Sequence, residues 1–84
     1  MLFRSGIYYS EKEEYEKALE KFYYLYDTKP INVGVVRYIA FCNYKLGNVD
    51  TAIEFLENEI EKVSSDELEQ LHELLIEYRD VHNE

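Results

Sequence analysis

The sequence predicts an all-α fold, and three features support this. Helix-forming residues dominate between the few helix breakers, which are Pro30, Gly6, Gly34 and Gly47. No segment alternates apolar and polar residues as a half-buried strand would. Apolar residues instead recur every three or four positions, which is the spacing of one helix face. These features predict five helices in a single domain over residues 1–84, because a chain of this length has room for one core.

The first two helices are predicted over about residues 2–10 and 14–26. The second has apolar residues on one face and Lys and Glu residues on the other, where they can pair at i, i+4. Pro30 should end this segment, because proline disfavours the helical conformation of the residue before it. The turn between the two helices contains no glycine, so its conformation does not follow from the sequence.

The third helix, over about residues 32–46, is apolar almost all round its axis. Such a helix must be covered on several sides, so we expect it to be central to the domain. Gly47 is expected to end it in a left-handed conformation. Asn48 or Asp50 should then cap the fourth helix, which extends to about residue 63.

The fifth helix is predicted over about residues 65–82. Ser64 and Glu67 have the spacing of a capping box at its start. One side of the helix is acidic, and the other is an apolar stripe of Leu68, Leu71, Leu74, Leu75, Tyr78 and Val81. One solvent-exposed polar face and one apolar face are typical of a terminal helix that closes a stack.

The chain aligns with itself at a shift of 34 residues, and residues of similar size then coincide. The matched pairs are Gly6 with Ala40, Tyr15 with Val49, Ala18 with Ala52, Leu19 with Ile53 and Phe22 with Leu56. Small residues coincide where two helices must approach closely, and large apolar residues coincide elsewhere. A helix–turn–helix unit of 34 residues is the tetratricopeptide period.

The residues themselves resemble the tetratricopeptide repeat family. The first unit has that family's small residue, tyrosine, alanine, aromatic residue and proline at Gly6, Tyr9, Ala18, Phe22 and Pro30. Residues 44–54, YKLGNVDTAIE, resemble the family's turn and the opening of its second helix. Leu2 and Ser64 depart from the pattern, standing where a tryptophan and the closing proline are common.

This resemblance implies a right-handed superhelix of two repeats, about 1–30 and 31–64, followed by a capping helix over about 65–82. In such arrays the first helix of each pair lines a concave face. Carried over to this chain, the partner-binding groove would be formed by Phe3, Arg4, Ile7, Arg37, Tyr38, Phe41, Tyr44, Lys45 and Leu75. The resemblance therefore implies a protein-binding module, an adaptor or small chaperone, that holds a helix or extended segment of another protein.

Within this groove, Tyr38, Phe41 and Tyr44 are the expected apolar anchors, and Arg37 and Lys45 would orient the partner. Other interpretations stay open. The aromatic residues can be core that the fifth helix covers, or the groove can bind a second copy of the chain. The chain also begins close to its first helix, which is compatible with a fragment of a longer array.

Some family members grip a terminal carboxylate with lysines and asparagines in the groove. The matching positions are Phe3, Ile7 and Tyr38, so we do not expect that mode here. From Asp50 onward, twelve acidic residues are opposed by two basic ones. This acidity disfavours nucleic acid and membrane surfaces as partners, and it is compatible with a solvated face or with a basic protein.

We expect no catalytic, metal or cofactor site. His72 and Glu73 are followed by Ile76, where a zinc-protease helix needs its second histidine. Cys42 has no histidine near it in the sequence, and no glycine-rich phosphate loop is present. The single cysteine and the lack of a signal-peptide pattern at the N terminus predict a cytoplasmic location.

Overall fold

The computed structural model describes residues 2–28, 33–62 and 65–82. Within these ranges the chain forms five α-helices and no strand. The helices are α1 (Leu2–Glu11), α2 (Tyr15–Thr28), α3 (Val33–Lys45), α4 (Val49–Ile60) and α5 (Ser65–His82). The all-α prediction is confirmed, and each helix begins and ends within one turn of its expected position. Pro30 and the proposed cap at Ser64 lie outside the described residues.

Helix α3 has the central position that its composition predicts. Each helix packs on the next one in the sequence, and α3 also packs on α5. Helix α3 therefore packs on α2, α4 and α5, and it also contacts α1 through the rings of Phe3 and Tyr38. Its buried residues are Val33, Val35, Val36, Ile39, Ala40, Cys42 and Asn43. A helix with apolar residues all round its axis is stable in water only when it is covered in this way.

The core consists of two clusters of buried residues that meet at α3. The N-terminal cluster contains Ala18, Phe22, Val35, Ile39 and Cys42. The C-terminal cluster contains Val33, Val36, Ala40, Ala52, Leu56, Leu71, Leu75 and Tyr78. Full burial of one large apolar side chain contributes about 1.5–3 kcal/mol. Because α3 supplies residues to both clusters, the two halves of the molecule share one continuous interior.

Helices α1 and α2 approach each other closely at Gly6. A Cβ atom added to Gly6 would lie 2.6 Å from Cε1 and Cζ of the Phe22 ring. Phe22 is fully buried, so its ring has no free space to move into. The small residue at position 6 is thus required by the contact between the two helices.

The turn after α1 contains a residue in the left-handed conformation, although it has no glycine. Glu13 has φ of 62°. The Glu14 N–H donates to the Tyr9 carbonyl at 2.8 Å, and the Glu13 N–H donates to the Ser10 carbonyl at 3.0 Å. These two bonds and the left-handed residue between them form a Schellman motif. Sequence reasoning left this turn open, because Glu rarely adopts a positive φ.

The turn after α3 has the same geometry. Gly47 has φ of 87°, which confirms the left-handed conformation expected there. The Asn48 N–H donates to the Asn43 carbonyl at 2.8 Å, and the Gly47 N–H donates to the Tyr44 carbonyl at 3.1 Å. Asn48 is the N-cap of α4, but its side chain forms no capping hydrogen bond. The left-handed residues Glu13 and Gly47 are 34 positions apart, the shift at which the chain aligns with itself.

Candidate binding groove

A groove with a volume of about 330 Å³ lies along α3 beside α5. Its lining residues are Gly34, Arg37, Tyr38 and Phe41 of α3 and Leu74 of α5. The first and last of the four α3 residues, Gly34 and Phe41, each lie three or four positions from both Arg37 and Tyr38, so the four share one face of that helix. The lack of a side chain at Gly34 leaves space at one end of this face.

An aromatic cluster forms the side of the groove next to α1. The rings of Phe22 and Tyr38 are stacked, with centroids 5.0 Å apart and planes 13° apart. The edge of Phe3 packs against both rings, at 5.8 Å from Phe22 and 5.7 Å from Tyr38. Such pairs contribute about 0.5–1.5 kcal/mol each beyond the burial of their area. Tyr38 is therefore half-buried and held in place from two sides, which makes it a rigid part of the groove.

Phe41 lies on the floor of the groove and combines an apolar ring with a nearby positive charge. Its ring is half-buried and packs edge-on against Tyr15, with centroids 6.1 Å apart. Lys45, one turn later on α3, places its Nζ atom 5.6 Å from the centre of the Phe41 ring. This is the geometry of a cation–π interaction. A partner that covers Phe41 would also meet the charge of Lys45.

Helix α5 covers the C-terminal end of the groove face of α3, where Tyr44 lies. The Tyr44 and Tyr78 rings are stacked, with centroids 4.5 Å apart and planes 7° apart. Tyr78 is only 2% exposed, and its hydroxyl has no hydrogen-bond partner among the described residues. Burial raises the pKa of this hydroxyl above its usual value. Tyr44 therefore packs against the fifth helix, and it is half-buried, as Tyr38 and Phe41 are.

Leu75 does not line the groove as expected, because it lies in the core. It is 4% exposed and belongs to the C-terminal cluster with Leu71 and Tyr78. These three residues follow at i, i+4 and i+7, so they form the face that α5 buries. Leu74 lies beside that face and lines the groove in place of Leu75. Nearby, Nη1 of Arg37 donates to Oε1 of Gln70, one turn before Leu74, at 3.2 Å.

The remaining expected groove residues belong to α1 and to the ends of the groove face. Ile7 is half-buried and packs on the N-terminal cluster, as Phe3 does. Arg4, Arg37 and Lys45 are exposed. Sequence reasoning missed Gly34 and Leu74. The i, i+4, i+7 spacing of Leu71, Leu75 and Tyr78 fits a buried face, but Leu71, Leu74 and Tyr78 at i, i+3 and i+7 fit one equally well, so the spacing did not separate the two leucines.

Two further polar side chains of the interior, Ser10 of α1 and Cys42 of α3, contact each other. The Ser10 hydroxyl and the Cys42 thiol lie 3.5 Å apart in the core. Burial raises the pKa of Cys42, which keeps the thiol protonated and poorly nucleophilic. Among the residues that the structure describes, no three His, Cys, Asp or Glu side chains come together in a way that could hold a metal ion.

No described helix has the length and apolar character that crossing a lipid bilayer requires. Comparison of the chain with family models, with curated proteins and with solved structures found no match.

Proposed function

We propose that this protein binds a segment of another protein in the groove on α3. The observation that carries this proposal is the pair of half-buried rings, Tyr38 and Phe41, which face an open groove on the central helix. Aromatic and arginine side chains supply much of the energy at protein interfaces, and here Arg37 lies beside both rings. The role that follows is that of an adaptor or a small chaperone.

The architecture that we propose for presenting this groove is a stack of two tetratricopeptide-like hairpins closed by α5. Two features that recur at 34 residues support it. One is the shared turn geometry at Glu13 and Gly47. The other is the complete burial of Ala18 and Ala52 at equivalent positions in the second helix of each hairpin. In such a stack, α1 and α3 would line the concave face.

A second candidate is a structural unit whose groove is covered by its own chain or by a second copy. The stack of Tyr78 on Tyr44 favours this candidate in part, because α5 already covers one end of the groove face. Tyr38 and Phe41 lie at the part that α5 leaves open. Sedimentation over a wide concentration range separates the candidates, since a dimer that Phe41→Ala dissociates would favour self-association.

Binding is tested by selecting ligands from displayed peptides of about 20 residues, which span about 30 Å when helical. That length is comparable with the molecule itself, which measures 32 × 30 × 16 Å. Phe41→Ala should weaken the selected peptides about 30-fold, as expected for a central aromatic anchor. Tyr24→Ala is the matched control, because Tyr24 is 57% exposed on α2 and does not line the groove.

Chemical denaturation of each variant shows whether it is folded. If Phe41→Ala does not fold, the double charge reversal Arg37→Glu with Lys45→Glu replaces it, because both side chains are exposed. The proposal is wrong if no peptide is enriched, or if the groove variants and Tyr24→Ala bind the selected peptides equally well.

A further inference from the structure

We infer that the groove binds an acidic amphipathic helix of its partner. This inference rests on the proposed function and adds the chemistry of the segment that is bound. Its basis is the distribution of charge among the five helices, together with the spacing and pairing of the basic residues at the groove.

Helix α3 differs in charge from the rest of the chain. The whole sequence has a net charge of −9. Helix α3 contains Arg37 and Lys45 and no acidic residue, so it is the only one of the five described helices with a net positive charge. By contrast, α4 has four acidic residues and no basic one. The floor of the groove is thus a region of positive charge within an acidic molecule.

The basic residues at the groove do not pair with carboxylates of the described chain. The described ion pairs are Lys17 with Glu14, Lys62 with Glu59, and Arg79 with Glu57. Arg37 instead bonds the neutral side-chain oxygen of Gln70, and Lys45 lies over the Phe41 ring. Arg4 follows Phe3, which packs on Tyr38, and its side chain is exposed and takes part in none of these pairs. Among the side chains that the structure describes, no carboxylate pairs with Arg37, Lys45 or Arg4, so these charges can attract an anionic ligand.

The spacing of these residues matches a helix in particular. Arg37 and Lys45 are eight positions apart, which corresponds to about 12 Å along the axis of α3. Acidic residues at i and i+7 of a partner helix are about 10.5 Å apart, so they can reach both cations. Apolar residues at i+3 and i+4 of that partner would then lie over Tyr38 and Phe41. The intervals of three and four along the groove face of α3 also suit the packing of another helix.

Acidic residues of this chain should set the orientation of the bound helix. Glu73 directly precedes Leu74 in the sequence, and Glu77 lies one turn after it on α5. Both glutamates are exposed. They would repel carboxylates placed against α5. The acidic side of the partner should therefore face α1, where Arg4 lies.

The test uses three synthetic helical peptides that have the same apolar residues and differ only at positions i and i+7. These positions carry Glu, Gln or Lys, and binding to the intact protein is measured by fluorescence anisotropy at low and at physiological salt. We expect the Glu peptide to bind about fivefold tighter than the Gln peptide, and the Lys peptide to bind weakest. The preference for Glu should decrease as salt is raised.

Two double variants locate the preference. Arg37→Glu with Lys45→Glu should reverse the order of the three peptides. Lys12→Glu with Lys21→Glu changes the net charge by the same amount on α2 and the turn before it, and it should leave the order unchanged. This control separates a local effect of the groove from the long-range field of the whole protein.

The failure of this inference can be told apart from that of the proposed function. If the Gln or Lys peptide binds as well as the Glu peptide, and Phe41→Ala abolishes that binding, the acidic preference is wrong and protein binding stands. If none of the three peptides binds at millimolar concentration, the inference of an acidic helix is wrong, and the proposed function is then decided by the selection of displayed peptides alone. Self-association that excludes the peptides would identify a second copy as the occupant and would also overturn this inference.

Discussion

At the scale of single residues, Tyr78 shows how a buried polar group can be held in place by packing and not by a hydrogen bond. Its ring stacks on Tyr44, but its hydroxyl is buried without a partner among the described residues. Tyr78→Phe removes this desolvated hydroxyl and keeps the ring. The substitution should leave the free energy of unfolding unchanged or raise it by about 1–2 kcal/mol. Urea unfolding at neutral pH measures this, and a clear loss of stability would show that the hydroxyl has a partner.

The same residue makes stability depend on pH in the alkaline range. An unfolded tyrosine has a pKa of about 10, and burial raises the pKa of Tyr78 in the folded protein. The folded state therefore holds its proton more tightly than the unfolded state. Stability is complete below about pH 10 and falls as the pH rises further. Tyr78→Phe should lose less stability than the wild-type protein between neutral pH and about pH 11.

Tyr26 has the opposite role, because its hydroxyl satisfies a buried charge. It donates to Oε1 of Glu59, which is 1% exposed, and this bond to a carboxylate raises the pKa of Tyr26. Tyr26→Phe removes a donor from a carboxylate whose other oxygen has no partner among the described residues. Unfolding free energy should fall by about 1–3 kcal/mol. Tyr24→Phe, at an exposed position, serves as the control and should change stability little.

At the scale of elements, the two turns provide an internal comparison. Glu13 and Gly47 occupy the same position of the same motif, but only glycine adopts a positive φ without strain. Glu13→Gly should therefore stabilise the protein by about 0.5–1 kcal/mol. Gly47→Ala should destabilise it by about 1 kcal/mol. Denaturation midpoints with unchanged m-values would support both expectations, whereas a destabilised Glu13→Gly variant would contradict the first.

The packing of the helices on each other leads to a second prediction at the scale of elements, which concerns two buried alanines. Ala18 and Ala52 are fully buried. In the proposed repeat architecture, both should lie where two helices approach closely. Ala18→Leu or Ala52→Leu should overpack these contacts and lower the free energy of unfolding by about 1–3 kcal/mol. Thermal or urea unfolding of each variant checks this. A neutral result at both sites would count against the close approach of the helices, and so against the proposed repeat architecture.

At the scale of the whole molecule, the sharing of α3 between two core clusters determines how the protein unfolds. The N-terminal and C-terminal clusters both need α3 in place. We therefore expect one cooperative transition, in which helix content by circular dichroism and tyrosine fluorescence change at the same urea concentration. Two separate transitions would mean that the halves are independent, with α3 remaining folded in only one of them.

The sequence predicted much of this fold. Local signals account for the helix bounds, because apolar periodicity and turn residues are properties of short stretches of chain. Gly47 indicated the left-handed turn after α3, and the apolar composition of α3 indicated its central position in the domain. Glu13 could not be recognised in the same way, because Glu rarely adopts a positive φ and its own preference therefore does not indicate a left-handed turn.

The candidate groove was predicted less completely than the fold. Phe3, Tyr38 and Phe41 lie near one another as expected. Tyr44 packs on α5, and Leu74 lines the groove where Leu75 was expected. Neighbouring residues on a helix point in directions about 100° apart. A small rotation of α5 on α3 therefore decides which leucine is buried, and the spacing of apolar residues does not determine that rotation.

The sequence by itself thus determined the number of helices, their bounds, the 34-residue repeat and the acidity of the second half. These follow from residue preferences and periodicity along the chain. Only the tertiary structure decided which charges are paired and which aromatic rings remain accessible. The acidic total charge suggested a basic partner or none, whereas Arg37 and Lys45 on α3, which pair with no carboxylate among the described side chains, point to an acidic one. The reason is physical: at ordinary salt a charge acts over about 8–10 Å, so a ligand responds to the local arrangement more than to the sum.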